Sequence, residues 1–143
     1  MKKRGLHFLS TVLCLTLFLS MSMRTSATVR ASDYFARTDV WATRQGGGEF
    51  IVEYDIVATG VMEELGASLI IIMEEQPDGD FEKVYTFRSS DMPELIETNT
   101  NVGYGCIPYE GTPGTRYYAT FGLCAKNSSG NETIYFDTNT ITA

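Results

Sequence analysis

A chain of 143 residues with 43% hydrophobic, 20% charged and 12% aromatic side chains is long enough for one domain with a core. It is too short for two domains and too aromatic for a disordered polymer. Its net charge of −7 speaks against polyanionic partners, which are held by clustered Lys and Arg.

The chain opens with Lys2, Lys3 and Arg4, then runs from Gly5 to Met23 without an Asp, Glu, Lys or Arg. Leu6, Phe8, Leu9, Val12, Leu13, Leu15, Leu17, Phe18 and Leu19 make that run apolar. Val29-Arg30-Ala31 has the small-x-small shape of an export cleavage site, and Thr25-Ser26-Ala27 offers a second. The pattern predicts a signal peptide over residues 1–31 and a secreted or cell-surface domain over residues 32–143. An uncleaved anchor is the alternative, although 19 uncharged residues interrupted by Ser and Thr barely reach across a bilayer.

Cleavage would remove five basic residues and no acidic one. The remaining 112 residues hold six basic and 18 acidic side chains, a net charge of −12. Such a body is soluble and is repelled by nucleic acid and by anionic membrane surfaces, so neither is expected as a partner. The only histidine, His7, leaves as well. Without imidazole there is no Ser-His-Asp or Cys-His arrangement and no histidine-bearing zinc site. Gly-x-Ser-x-Gly, Gly-x-Gly-x-x-Gly and phosphate-loop motifs are missing too. No catalytic residue, cofactor or metal ligand is assigned. Paired carboxylates could still serve a small glycosidase.

Thr38 to Arg44 reads as a first strand ended by Gln45-Gly46-Gly47-Gly48, with a hairpin to follow. Glu49 to Ala58 alternates, placing Phe50, Val52, Tyr54, Ile56 and Ala58 on one face and Glu49, Glu53 and Asp55 on the other. Thr59 to Gly66 reads as a loop or one helical turn. Ala67 to Glu74 is short, apolar and β-branched, the pattern of a central strand covered on both faces. Pro77-Asp78-Gly79-Asp80 is turn chemistry, so Phe81 to Phe87 should fold back as its partner. Arg88 to Asn101 is a loop with room for a helical turn over Met92 to Ile96.

Val102 to Tyr109 forms a shorter strand, and Glu110 to Thr115 turns the chain. Tyr117, Ala119, Phe121, Leu123 and Ala125 then alternate with Tyr118, Thr120, Gly122, Cys124 and Lys126. A turn at Asn127 to Asn131 leads to a closing strand from Thr133 to Thr142. About seven strands without a long amphipathic helix predict an all-β, two-sheet sandwich of the immunoglobulin or fibronectin type III sort.

Gly114-Thr115-Arg116-Tyr117, its alternating strand and Ala125-Lys126-Asn127-Ser128-Ser129-Gly130 resemble the penultimate strand of fibronectin type III domains, with Tyr117 as the corner tyrosine. Tyr54 to Met62, Gly66-Ala67-Ser68 and Gly111-x-x-Gly114-x-x-Tyr117-Tyr118-Ala119 also resemble a set of short exported Gram-positive bacterial proteins, a domain family of unknown function. That resemblance implies export and assigns no activity.

Cys106 and Cys124 remain outside the leader, and in an oxidising compartment a single pair is expected to form a disulfide. Two reduced thiols are the alternative. Asp78, Asp80 and Glu82 alternate beside a turn and could offer oxygens to calcium, although a solvated acidic hairpin accounts for them equally. Asn127-Ser128-Ser129 and Asn131-Glu132-Thr133 match the N-glycosylation pattern and read better as turn residues. Trp41, Tyr104, Tyr109, Tyr118 and Tyr135 are the candidate ligand contacts, because rings facing outward from strands stack on sugars or anchor proteins. The expected function is a secreted, non-catalytic binding module for a cell-surface glycan or protein. A structural or accessory envelope domain is the alternative, and the small glycosidase a more distant one.

Overall fold

A computed structural model describes residues 32–143. The leader expected over residues 1–31 lies outside the described residues. In chain order the strands are β1 (Phe35–Gly46), β2 (Glu49–Met62), β3 (Glu64–Glu75), β4 (Phe81–Arg88), β5 (Ile96–Glu97), β6 (Thr100–Glu110), β7 (Arg116–Asn127), β8 (Gly130–Asp137) and β9 (Ile141–Thr142). The helical turn expected around Met92 to Ile96 is a 3-10 turn at Pro93–Leu95.

Alternation decides which sheet faces meet. On β2, Phe50, Val52, Tyr54 and Ile56 are fully buried, and on β7 so are Tyr117, Ala119, Phe121, Leu123 and Ala125. A strand with one apolar face must lay it on another such face, and two sheets do so here. One has the order β1-β2-β6 and the other β4-β3-β7-β8, with the two-residue β5 on β3 and β9 on β7. Every pairing is antiparallel. The result is the expected immunoglobulin/fibronectin III-like sandwich, its seven long strands joined by two short ones. Tyr54 meets Phe121 edge-on across the core at 5.8 Å, and Phe50 meets Tyr117 at 5.1 Å.

Tyr54 also ties the Pro93–Leu95 turn to the core. Its hydroxyl donates to the Leu95 carbonyl at 2.9 Å, and Leu95 is itself buried. Gly66 makes this approach possible, since a Cβ there would overlap the Leu95 carbonyl. Burial pushes the Tyr54 phenol up to about 12 from an ordinary value near 10. A raised folded-state value means that folding favours the protonated phenol. This contribution is therefore intact below pH 10 and lost as pH rises from about 10 to about 12. Full ionisation forfeits about 3 kcal/mol. Spectrophotometric titration should find late-ionising tyrosines, one of which ionises in step with loss of the β-sheet circular dichroism signal, and Tyr54→Phe should remove one tyrosine from that late phase.

The strands differ from the sequence expectation in three places. No loop separates β2 from β3. The β2 register on β6 shifts after Val57, the strand continues to Met62, and the chain enters the other sheet through Glu63 alone. The closing strand expected from Thr133 to Thr142 is broken at 138–140. There the buried Thr138 hydroxyl accepts the Ala119 amide at 3.0 Å, and the Asn139 side chain turns onto β1. Asn139 Oδ1 accepts the Ala42 amide at 2.9 Å while its Nδ2 donates to the Ala42 carbonyl at 3.0 Å, so one side chain mimics a strand partner. Finally, β3 is central in its sheet but covered on one face only. Ile70 and Ile72 are buried, whereas Leu69, Ile71 and Met73 are half-exposed on the outside.

Candidate binding surfaces

The outer face of the three-stranded sheet is built by register. Trp41 of β1 lies opposite Glu53 of β2, which lies opposite Cys106 of β6. In the neighbouring row Asp39, Asp55 and Tyr104 align in the same way, and on the other side Thr43, Ile51 and Pro108. Because β2 buries its even-numbered residues, Ile51, Glu53 and Asp55 must point out. Glu53 then becomes the centre of a small network. The Trp41 indole N–H donates to its Oε2 at 2.7 Å and the Tyr104 hydroxyl to its Oε1 at 2.8 Å, with the Thr43 hydroxyl at 3.4 Å from Oε2.

Two rings are thereby held on either side of one carboxylate, on a face that no other strand among the described residues covers. Tyr104 remains 54% exposed. Its phenol is raised to about 12, chiefly because its proton is shared with the Glu53 carboxylate, so it stays a donor throughout the physiological range. Arg37 reaches Asp55 at 2.6 Å and Asp39 at 3.4 Å at the edge of the same face. Next to the β1–β2 hairpin a depression of about 500 Å³ opens, lined by Gln45, Glu49, Phe50, Ile51, Pro108, Tyr109 and Glu110. The whole face is therefore aromatic at the centre and acidic around it.

The other three candidate aromatics lie elsewhere. Tyr109 packs at the rim of the core against Phe50 at 5.3 Å, Tyr85 at 6.1 Å and Phe87 at 6.5 Å, and burial raises its phenol. Tyr118 is on the outer face of the larger sheet, edge-on to Phe81 at 4.9 Å, while Arg116 lies over that Phe81 ring. Tyr135 is on the same face, 61% exposed, beside Gly122. Only Trp41 and Tyr104 are joined in one site. Glu53, which joins them, was not among the candidates, although its place on the polar face of β2 was visible. Tyr85, 51% exposed, was also missed.

The disulfide expected between Cys106 and Cys124 is not formed, and both are free thiols. Cys106 faces out from β6, opposite Glu53. Cys124 sits between the buried Leu123 and Ala125 and so faces out from β7, on the far side of the sandwich. Packed sheets stand about 10 Å apart, and their outward faces further still, whereas a bridge needs Cα atoms within about 7 Å. Burial, with Glu64 adding to it, raises the Cys124 thiol above its usual value and keeps it protonated.

Asp78, Asp80 and Glu82 do not converge. The Asp78 carboxylate accepts the Asp80 amide at 3.1 Å within the turn, and among the described residues no three acidic or thiol side chains group as a metal site. Asn127 acts as a turn residue, its Oδ1 accepting the Ser129 amide at 2.8 Å. No protein-family model matches the chain, and no curated protein matches it.

Proposed function

We propose that this chain is a secreted or cell-surface, non-catalytic binding module whose ligand is a neutral or amine-bearing glycan. Export from a Gram-positive cell follows the resemblance noted in the sequence. The observation that carries the reading is the Glu53 carboxylate, which takes a hydrogen bond from Trp41 and from Tyr104 and so presents two rings already oriented on an uncovered face. Rings fixed before binding lose little side-chain freedom on contact, which favours stacking on the apolar faces of sugars. Asp39, Asp55, Glu49 and Glu110 around the rings supply acceptors for hydroxyl or ammonium groups and repel polyanions.

The test is a pull-down on insoluble neutral and amine-bearing polysaccharides, with soluble neutral and polyanionic glycans as competitors. Saturable binding is expected, competed by neutral glycans only. Tyr104→Ala should weaken it about tenfold, a loss of about 1.4 kcal/mol, and leave the circular dichroism spectrum unchanged, because this ring is exposed. Absence of binding across the panel would favour the structural or accessory role. Undiminished binding by Tyr104→Ala would move the site off this face.

A further inference from the structure

A sheet edge is a row of unpaired backbone groups, and proteins usually blunt such rows with bulges, prolines or charge. Among the described residues the two sheets have four long edges, and three of them are blunted. Along β1 the register shifts at both ends, Arg37 and Asp39 line the strand, and Asn139 occupies the Ala42 backbone. Pro108 interrupts β6. On β4 a bulge falls at Val84, next to Lys83. β8 has no bulge and no proline: its register on β7 is unbroken over eight residues, its charges Glu132 and Asp137 stand towards its ends, and Thr133-Ile134-Tyr135-Phe136 between them is uncharged and rich in β-formers.

Which backbone groups of β8 are free follows from the two sides of β7. The carbonyls of Gly122 and Lys126 face β3, where they accept the Ser68 hydroxyl and the Glu63 amide, and the Ala119 carbonyl faces the other way and accepts the Thr138 amide. Odd-numbered residues of β7 therefore bond to β8, pairing Phe121 with Phe136, Leu123 with Ile134 and Ala125 with Glu132. Asn131, Thr133, Tyr135 and Asp137 are left with amides and carbonyls aimed away from the sheet.

We infer that β8 is a self-association edge, where a second copy of the chain adds its own β8 antiparallel about a two-fold axis at Ile134. The axis must lie at an even-numbered residue or at an outward one for free groups to meet free groups, and Ile134 uses all four. Thr133 then faces Tyr135 of the second copy, and Asn131 faces Asp137. No like charges oppose each other: the Asn131 amide meets the Asp137 carboxylate, and Glu132 lies across from Phe136. The contact would cover Tyr135 and Phe136, which are 61% and 38% exposed. Two bodies whose residues 32–143 each carry a net charge of −12 repel at long range, so association should strengthen with salt.

Sedimentation equilibrium of the protein from micromolar to millimolar concentration, at low and high sodium chloride, tests this. A reversible dimer favoured by salt is expected. Thr133→Pro deletes an amide that β7 does not use and should weaken the dimer at least tenfold with an unchanged circular dichroism spectrum. Tyr135→Glu sets a carboxylate into the contact and should do the same should Thr133→Pro fold poorly. A monomer at all concentrations would overturn the inference, as would a dimer that survives both variants or capture of an unrelated extended peptide by a monomeric chain. Tyr104→Ala should leave the dimer intact, and Thr133→Pro should leave glycan binding intact, so the two proposals fail separately.

Discussion

Gly105→Ala is expected to destabilise the domain by about 3 kcal/mol and lower its Tm by roughly 10–15 °C. Gly105 of β6 lies opposite Tyr54 of β2 with the tyrosine ring folded over it. A Cβ at this position would overlap that ring, with Cζ and the hydroxyl 2.5 and 2.7 Å away. The ring cannot swing aside, because it is fully buried, packed edge-on against Phe121 and held by the Leu95 carbonyl. Gly103, two residues earlier on the same face, is the control. A Cβ there would meet only Leu65 at 3.5 Å, an ordinary contact, so Gly103→Ala should change stability by less than about 1 kcal/mol. Equal effects from the two alanines would show that the Tyr54 ring does not occupy this place.

Tyr117→Phe is the second large effect, with an expected loss of about 2–3 kcal/mol. The Tyr117 hydroxyl accepts the Thr112 amide at 2.9 Å and donates to the Glu74 carboxylate, closing the turn between β6 and β7 onto the end of β3. Removing one oxygen strands both partners in a half-buried place, while the ring continues to fill the core. Gly111 preserves the arrangement, because a Cβ there would come within 2.8 Å of the Tyr117 ring. Burial and the Glu74 carboxylate together hold the phenol above its usual value, so this bond is complete throughout the neutral range. Urea unfolding checks the prediction: a lower midpoint with an unchanged slope is expected, and no shift of the midpoint would contradict it.

Much of this fold could be read before the structure. Alternation on β2 and β7 named Phe50, Val52, Tyr54, Ile56, Ala58, Tyr117, Ala119, Phe121, Leu123 and Ala125 as one face each, and all are buried. The corner role given to Tyr117 by resemblance to fibronectin type III domains agrees with its bond to Thr112. Period-two patterns specify which side chains share a strand face, whereas partner and register depend on contacts between distant segments. That limit explains the errors. Cys106 and Cys124 look like a pair along the chain, but consecutive strands β6 and β7 belong to different sheets. The apolar run of β3 suggested two covered faces, although its outer row is shared with the half-buried Tyr118 and left open. The site was legible in part. Trp41 and Tyr104 stood out as aromatics on strands, while Glu53 looked like any solvated carboxylate until register placed it between them.

Trp41 is the only tryptophan of the chain and belongs to the proposed glycan face, so its fluorescence reports directly on that face. Titration of the protein with neutral and amine-bearing oligosaccharides should give a saturable change in Trp41 emission that Tyr104→Ala weakens and polyanionic glycans do not produce. An emission spectrum unmoved by every glycan, with Trp41 still quenched by acrylamide, would contradict the account.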